Sequence, residues 1–264
     1  KQGQHVSIDR LRWAGNGDFV TATLSVDAQS YSYHIFDLNL GTDTKISDFY
    51  FKTKHTDALV PTETVQITAR DGMKLNALLL RPKGVDGAAP MVLEVHGGPA
   101  GQVKWEYHHF RQFLVNRGYA VLAVNFRGSS GLGKIYQAAG YGEYGRKMQG
   151  GLVDATLWAI DQGIADPNAI AINGSSYGGY ASAMGLVRDP DLFKAGIIEH
   201  AMLDVAYQSQ YPPHSWGLYL GQWERYFGDI NTPGDMEKMH QRSPINLVGQ
   251  MQAAALLVAG KRDR

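Results

Sequence analysis

The rhythm of hydrophobic and polar positions changes near residue 54. Before it, short alternating runs at 19–26, 31–38 and 46–51 are separated by turn-rich pieces: Gly15-Asn16-Gly17-Asp18, Asp27-Ala28-Gln29-Ser30 and Asn39-Leu40-Gly41-Thr42-Asp43. Alternation with period two at this even spacing predicts short antiparallel strands of the propeller-blade or sandwich kind. About one blade's worth is present. A lone blade has unpaired edges and no neighbour to bury its faces, so the segment reads as the tail end of something larger.

After it, residues 64–68 and 74–80 flank Arg70-Asp71-Gly72 as a hairpin would. Strands and helices then alternate. Near-continuous apolar runs at 91–95, 119–125, 169–173, 195–198 and 253–259 predict strands; 107–116 and 151–162 predict helices, the second with Leu152, Ala155, Ala159 and Ile160 on its apolar face. Such runs separated by amphipathic helices indicate an α/β fold, a mostly parallel sheet covered on both faces. Sites in doubly wound sheets gather at the carboxyl ends of the strands.

One such end carries Asn173-Gly174-Ser175-Ser176-Tyr177-Gly178-Gly179-Tyr180, directly after Ala169-Ile170-Ala171-Ile172. Gly-x-Ser-x-Gly on a sharp strand-to-helix turn pushes the serine hydroxyl clear of the sheet, within reach of a substrate carbonyl. The pattern alone is weak: with 31 glycines in 264 residues, chance supplies roughly 0.2 serine-centred matches. Its place between a buried strand and the small-residue helix at 181–187 makes it a candidate nucleophile elbow centred on Ser176.

Two further strand ends supply matching chemistry. His96-Gly97-Gly98-Pro99 follows the run at 91–95, and its glycines expose backbone N–H groups that can bind a developing oxyanion together with the N–H of Tyr177. Gly260-Lys261-Arg262-Asp263 follows the run at 253–259, where the orienting carboxylate of a hydrolase triad belongs, in the chain order serine, acid, histidine. In that order the histidine lies after Asp263, yet all nine histidines precede it. His200, which ends a strand near the site, is the one to watch. His96 braces the glycine turn, and His108 and His109 read as surface or packing residues. A serine hydroxyl without a base is a poor nucleophile, so this stretch is expected to be inactive or nearly so.

Composition narrows the alternatives. Formal net charge is zero and charged residues make up 19%, which gives no electrostatic reason to expect nucleic acid or an anionic membrane as partner. No stretch approaches the ~18 uninterrupted apolar residues of a membrane span. The absence of cysteine removes thiol nucleophiles and thiolate metal sites, and no metal-ligand spacing or phosphate-cradling loop occurs, so neither a metal nor a cofactor is expected. Self-association into a homo-oligomer stays open. The aromatic-rich stretch from Tyr207 through Trp216 and Trp223 to Phe227 fits a pocket wall or the core of an inserted helical section equally well.

From about residue 55 to its end the chain resembles the catalytic domain of the prolyl oligopeptidase family of serine peptidases. The resemblance rests on His96-Gly97-Gly98-Pro99, Asn125-Phe126-Arg127-Gly128-Ser129-Ser130-Gly131, Asp161-Gln162-Gly163-Ile164-Ala165-Asp166-Pro167, Gly174-Ser175-Ser176-Tyr177-Gly178-Gly179-Tyr180, Glu224-Arg225-Tyr226-Phe227-Gly228 and Gly260-Lys261-Arg262-Asp263. It implies an α/β-hydrolase domain at 55–264 lacking its C-terminal end, preceded at 1–54 by the last blade remnant of a β-propeller. It also implies small peptide substrates, Ser176 as nucleophile and Asp263 as triad acid. The His-Gly-Gly-Pro form is similar to the acylaminoacyl-peptidase-like branch, which implies an oxyanion hole from the amides of Gly98 and Tyr177. Tyr207 and Tyr211 fall where the dipeptidyl-peptidase branch has pocket tyrosines, implying substrate contact, while its neighbouring tryptophan position is Asp204. The resemblance implies that the family's histidine and final helix would follow Arg264, so that 253–259 is expected to be poorly covered here. A carboxylic ester hydrolase of the same fold, or a non-catalytic binding protein on this scaffold, are the rival readings.

Overall fold

The computed structural model describes residues 6–26, 31–48 and 56–261. The expected domain boundary near Lys54 and the candidate acid Asp263 lie outside the described residues. Among the described residues there are two separate sheets, one of four strands and one of seven.

The first sheet is an antiparallel meander of β1 (Val6–Trp13), β2 (Phe19–Val26), β3 (Ser32–Asp37) and β4 (Thr42–Asp48), hydrogen-bonded in chain order. β2 and β3 match the alternating runs. β4 begins at Thr42 instead of 46, because the turn is tighter than its glycine-containing sequence suggests. β1 has no clear alternation: its register shifts between residues 9 and 12, with Arg10 at a positive φ of 52°. This sheet buries little beyond Val20, Ala22 and a few polar side chains, and leaves Ile8, Leu11 and Trp13 exposed. It touches the rest of the chain where Tyr107 N–H donates to Ser25 Oγ at 3.1 Å.

The seven-stranded sheet runs β11-β10-β9-β7-β8-β6-β5. Its members are β5 (Glu63–Thr68), β6 (Lys74–Leu80), β7 (Ala89–Val95), β8 (Ala120–Asn125), β9 (Ala165–Ser175), β10 (Ala195–Glu199) and β11 (Ala254–Val258). β5 and β6 form the antiparallel hairpin and β6 pairs antiparallel with β8; every other pairing is parallel. Helices α1 (His109–Asn116), α2 (Lys134–Ala138), α3 (Lys147–Asp161), α4 (Tyr177–Arg188), α5 (Val205–Gln210), α6 (Leu220–Phe227) and α7 (Asp235–Gln241) fill the connections. This is the α/β architecture expected of the alternating runs.

Adjacent residues of one strand face opposite layers, and the core divides accordingly. Leu79, Leu93, Leu122 and Ile172 pack with α3 and α4 in the larger core. Leu80 and Val121, one position along, pack with Val115 of α1 in a smaller one. β11 is an edge strand, and all five of its residues are exposed.

Candidate active site

Three parallel strands, β7, β9 and β10, end side by side, and the loops leaving them build the site. β9 runs into Ser176, which holds φ 59° and ψ −119° before α4 begins at Tyr177. A non-glycine residue at positive φ costs on the order of 1–3 kcal/mol and persists only where its surroundings enforce it. They do so here by close backbone approach. A Cβ on Gly174 would collide with the backbone of Gly178, and one on either glycine would strike the carbonyl of Val95. The elbow is therefore pressed against the end of β7, and Ser176 is left exposed at its tip.

Backbone hydrogen bonds fix the turn. Ser176 N–H donates to the Glu199 carbonyl at 2.9 Å, and the Ser176 carbonyl accepts the N–H of Tyr180 at 3.0 Å. The N–H of Tyr177 belongs to the first turn of α4, where donors have no carbonyl within the helix and the helix dipole favours negative charge.

The loop after β7 is held by His96. Its Nδ1 lies 2.7 Å from the Gly97 carbonyl and its Nε2 2.8 Å from Ser129 Oγ, while the ring stacks on Phe126 at 4.3 Å and 15°. Burial pushes the imidazole down to about 4 and outweighs the opposing influence of the Gly97 carbonyl and Glu94, so the ring is neutral at pH 7. The Gly97–Gly98 peptide is trans. With its carbonyl oxygen on the His96 ring, the N–H of Gly98 points away from that ring. Gly98, Ser176 and Tyr177 line one cavity of about 260 Å³.

Trp216, Trp223 and Phe227 form its apolar wall, with the two indoles 4.1 Å apart. Trp223 and Phe227 are four apart on α6 and share a face, while Tyr226 turns inward and donates to the Gly128 carbonyl at 2.8 Å. The aromatic stretch thus serves as both wall and core. Tyr207 and Tyr211 do not join it. They are 60% and 64% exposed, pack against each other with ring centroids 5.0 Å apart and planes tilted by 44°, and lie outside the cavity wall. Asp204 caps α5 by accepting the N–H of Tyr207 at 3.0 Å, and Val205 and Ala206 take the buried face. That rotation sends both tyrosines outward and brings Gln208 to the cavity. Tyr144 of the wall went unnoticed in the sequence because it lies in a glycine-rich loop with no regular period.

His200 also lines the cavity, at φ 45°, with its N–H on the Val258 carbonyl at 2.8 Å. His108 and His109 stack on each other at 5.3 Å at the start of α1, away from this wall. Among the described residues, none hydrogen-bonds to the Ser176 hydroxyl. Behind the elbow, Glu94 receives a two-pronged bond from Arg111, Nε and Nη2 each at 2.9 Å. Burial would raise the Glu94 carboxyl, but the bonds and charge of Arg111 hold it below the usual range.

Comparison with known proteins matches this arrangement to one family. Residues 105–264 match the model described as the prolyl oligopeptidase family. Dipeptidyl aminopeptidase BIII of Pseudoxanthomonas mexicana is 35% identical over 97% of this chain and 40% of its own length. A puromycin-hydrolyzing peptidase of Mycobacterium tuberculosis superposes with a TM-score of 0.85 at 23% identity, over 92% of this chain and 37% of that one. An acylaminoacyl peptidase of Pyrococcus horikoshii does so at 0.81 and 21%, over 98% and 40%. The chain therefore spans about two fifths of the length of each of these three relatives. With a family match over more than half of its residues and a close relative across nearly all of them, the chain belongs to the prolyl oligopeptidase family.

Proposed function

We propose that this chain carries the nucleophile and oxyanion site of a serine peptidase acting on small peptides. Ser176 Oγ attacks the scissile carbonyl carbon, and its proton passes to an imidazole and then to the leaving amine as the C–N bond breaks. Water cleaves the resulting ester and frees the serine. The amides of Gly98 and Tyr177 receive the charge that develops on the carbonyl oxygen, Asp263 orients the imidazole, and the Trp216, Trp223 and Phe227 wall accepts an apolar side chain next to the scissile bond. No cofactor enters these steps.

The observation that carries the reading is a serine forced to positive φ at the mouth of a cavity that Gly98 and Tyr177 also line. Since no described residue offers its ring to Ser176, these 264 residues alone should turn over slowly. The four-stranded meander fits the last blade of a propeller that limits access to the site. Hydrolysis of an aminoacyl arylamide against a short-chain ester, by the protein expressed from its whole reading frame, tests the reading. Arylamide cleavage that is lost in Ser176→Ala supports it. Ester turnover with no amide cleavage would replace it with an esterase.

A further inference from the structure

We propose that Ser129 is a positioning residue for the glycine turn: its hydroxyl donates to His96 Nε2, fixes the tautomer with the ring proton on Nδ1, and so holds the Gly97–Gly98 peptide in one orientation. The role in catalysis rests on the peptidase reading above; the hydrogen-bond assignment does not.

The assignment follows from counting protons. The Gly97 carbonyl only accepts, so Nδ1 at 2.7 Å must carry a proton. A neutral imidazole has one N–H, which leaves Nε2 as an acceptor. Ser129 Oγ at 2.8 Å is the group placed to donate to it. That oxygen also lies 2.6 Å from the Phe126 carbonyl, and a hydroxyl has one proton for the two of them. The Phe126 carbonyl already accepts the N–H of Ser129 at 3.0 Å, so it is not orphaned when the hydroxyl turns to the ring. His96 Nε2 has no such second partner. The cost of an unmet buried acceptor therefore directs the proton toward His96.

The surroundings leave the ring little else to do. Ser129 is fully buried, so no bulk water competes. Stacking on Phe126 fixes the ring plane. Gly101 lies against the pair: a Cβ there would strike both the Gly97 carbonyl and His96 Nδ1. Ser130 N–H in turn donates to the Gly101 carbonyl at 2.9 Å. Two consecutive serines from the loop after β8 thus clamp both ends of the turn after β7. The charged groups acting on the ring are Glu94 and Arg111, with opposite effects. The neutral ring is consistent with its burial.

The test is nitrogen-15 NMR of the histidine rings in the 264-residue chain at pH 7, with His96 assigned through His96→Gln. Wild type should show Nδ1 protonated and Nε2 bare. Ser129→Ala should give a mixture of tautomers, and Ser129→Thr, which keeps the hydroxyl, should restore the single form. A wild-type ring protonated at Nε2, or at both nitrogens, overturns the inference without any variant, as does a spectrum that Ser129→Ala leaves unchanged. Fluorophosphonate labelling of Ser176 in the protein expressed from its whole reading frame separates the two claims. A labelling rate about 10-fold lower in Ser129→Ala links the tautomer to the oxyanion site. A folded protein from the whole reading frame that never labels at Ser176 sinks the peptidase reading, while the ring spectrum still decides the role of Ser129.

Discussion

The amide of Ser176 donates to the carbonyl of Glu199 at 2.9 Å. The N–H of Ser176 is thereby committed to the neighbouring strand, and the donor that remains at the elbow is the N–H of Tyr177, at the head of α4. The oxyanion site proposed above pairs it with the outward Gly98 N–H, and so depends on two separate loops being pressed together.

That close approach predicts the cost of adding one methyl group. Gly178→Ala places a Cβ against the Val95 carbonyl, and backbone cannot move aside as a side chain would. Overpacking of this kind costs about 1–3 kcal/mol. Urea unfolding should show that loss, and a stability equal to wild type would contradict the packing described.

The Arg111–Glu94 pair predicts a reversal with pH. Its side chains are 5% and 13% exposed, and removing one partner of a buried pair costs about 3–5 kcal/mol. Arg111→Met should lose stability on this scale at pH 7. In wild type the depressed Glu94 carboxyl contributes stability above its unfolded value and loses it as pH falls through the folded one. In the variant, burial without a partner raises that carboxyl, so acidification should recover stability as Glu94 protonates. Thermal unfolding across pH 4–8 checks the sign, and a Glu94→Gln, Arg111→Met double variant should lose the reversal.

His96 sets a second pH dependence. Its folded value of about 4 lies below the ordinary 6.5, so between these the unfolded chain binds more protons. Stability from this group is fully present above 6.5 and falls as pH drops toward 4. His96→Gln should flatten the curve in that interval; an unchanged slope would show that the ring is not held neutral.

The wall of the cavity predicts a binding effect. Trp223→Ala opens the space beside Trp216 and Phe227. A hydrophobic pocket separates side chains that differ by one methylene by about 1–3 kcal/mol, roughly 10- to 200-fold, and much of that selectivity should go with the wall. Peptide-bearing phosphonates of increasing side-chain size should discriminate less in the variant, and equal discrimination would place the side-chain pocket elsewhere.

Much of this was legible from residue order alone. Apolar runs such as 120–125 are buried on both faces, as their alternation with amphipathic helices leads one to expect of a covered sheet. The elbow could be read because Gly174, Ser176 and Gly178 meet a local backbone demand within five residues. What escaped depends on rotation or on distance. Tyr207 and Tyr211 have the right composition for a pocket, but Asp204 caps α5 one residue before Val205 and turns them to solvent. Asp204 was a cap signal in plain view. The link from Ser129 to His96 joins loops 33 residues apart, and no local pattern announces it. β1 was hidden because its bulge breaks the alternation that marks a strand.

The most direct measurement is peptide mapping by mass spectrometry after exposure of the chain to a fluorophosphonate, with and without free imidazole to stand in for the base. A single adduct on Ser176 is expected, accelerated by imidazole and absent from Ser176→Ala. A folded chain with no adduct at Ser176 in either condition, or one labelled on another serine instead, would contradict it.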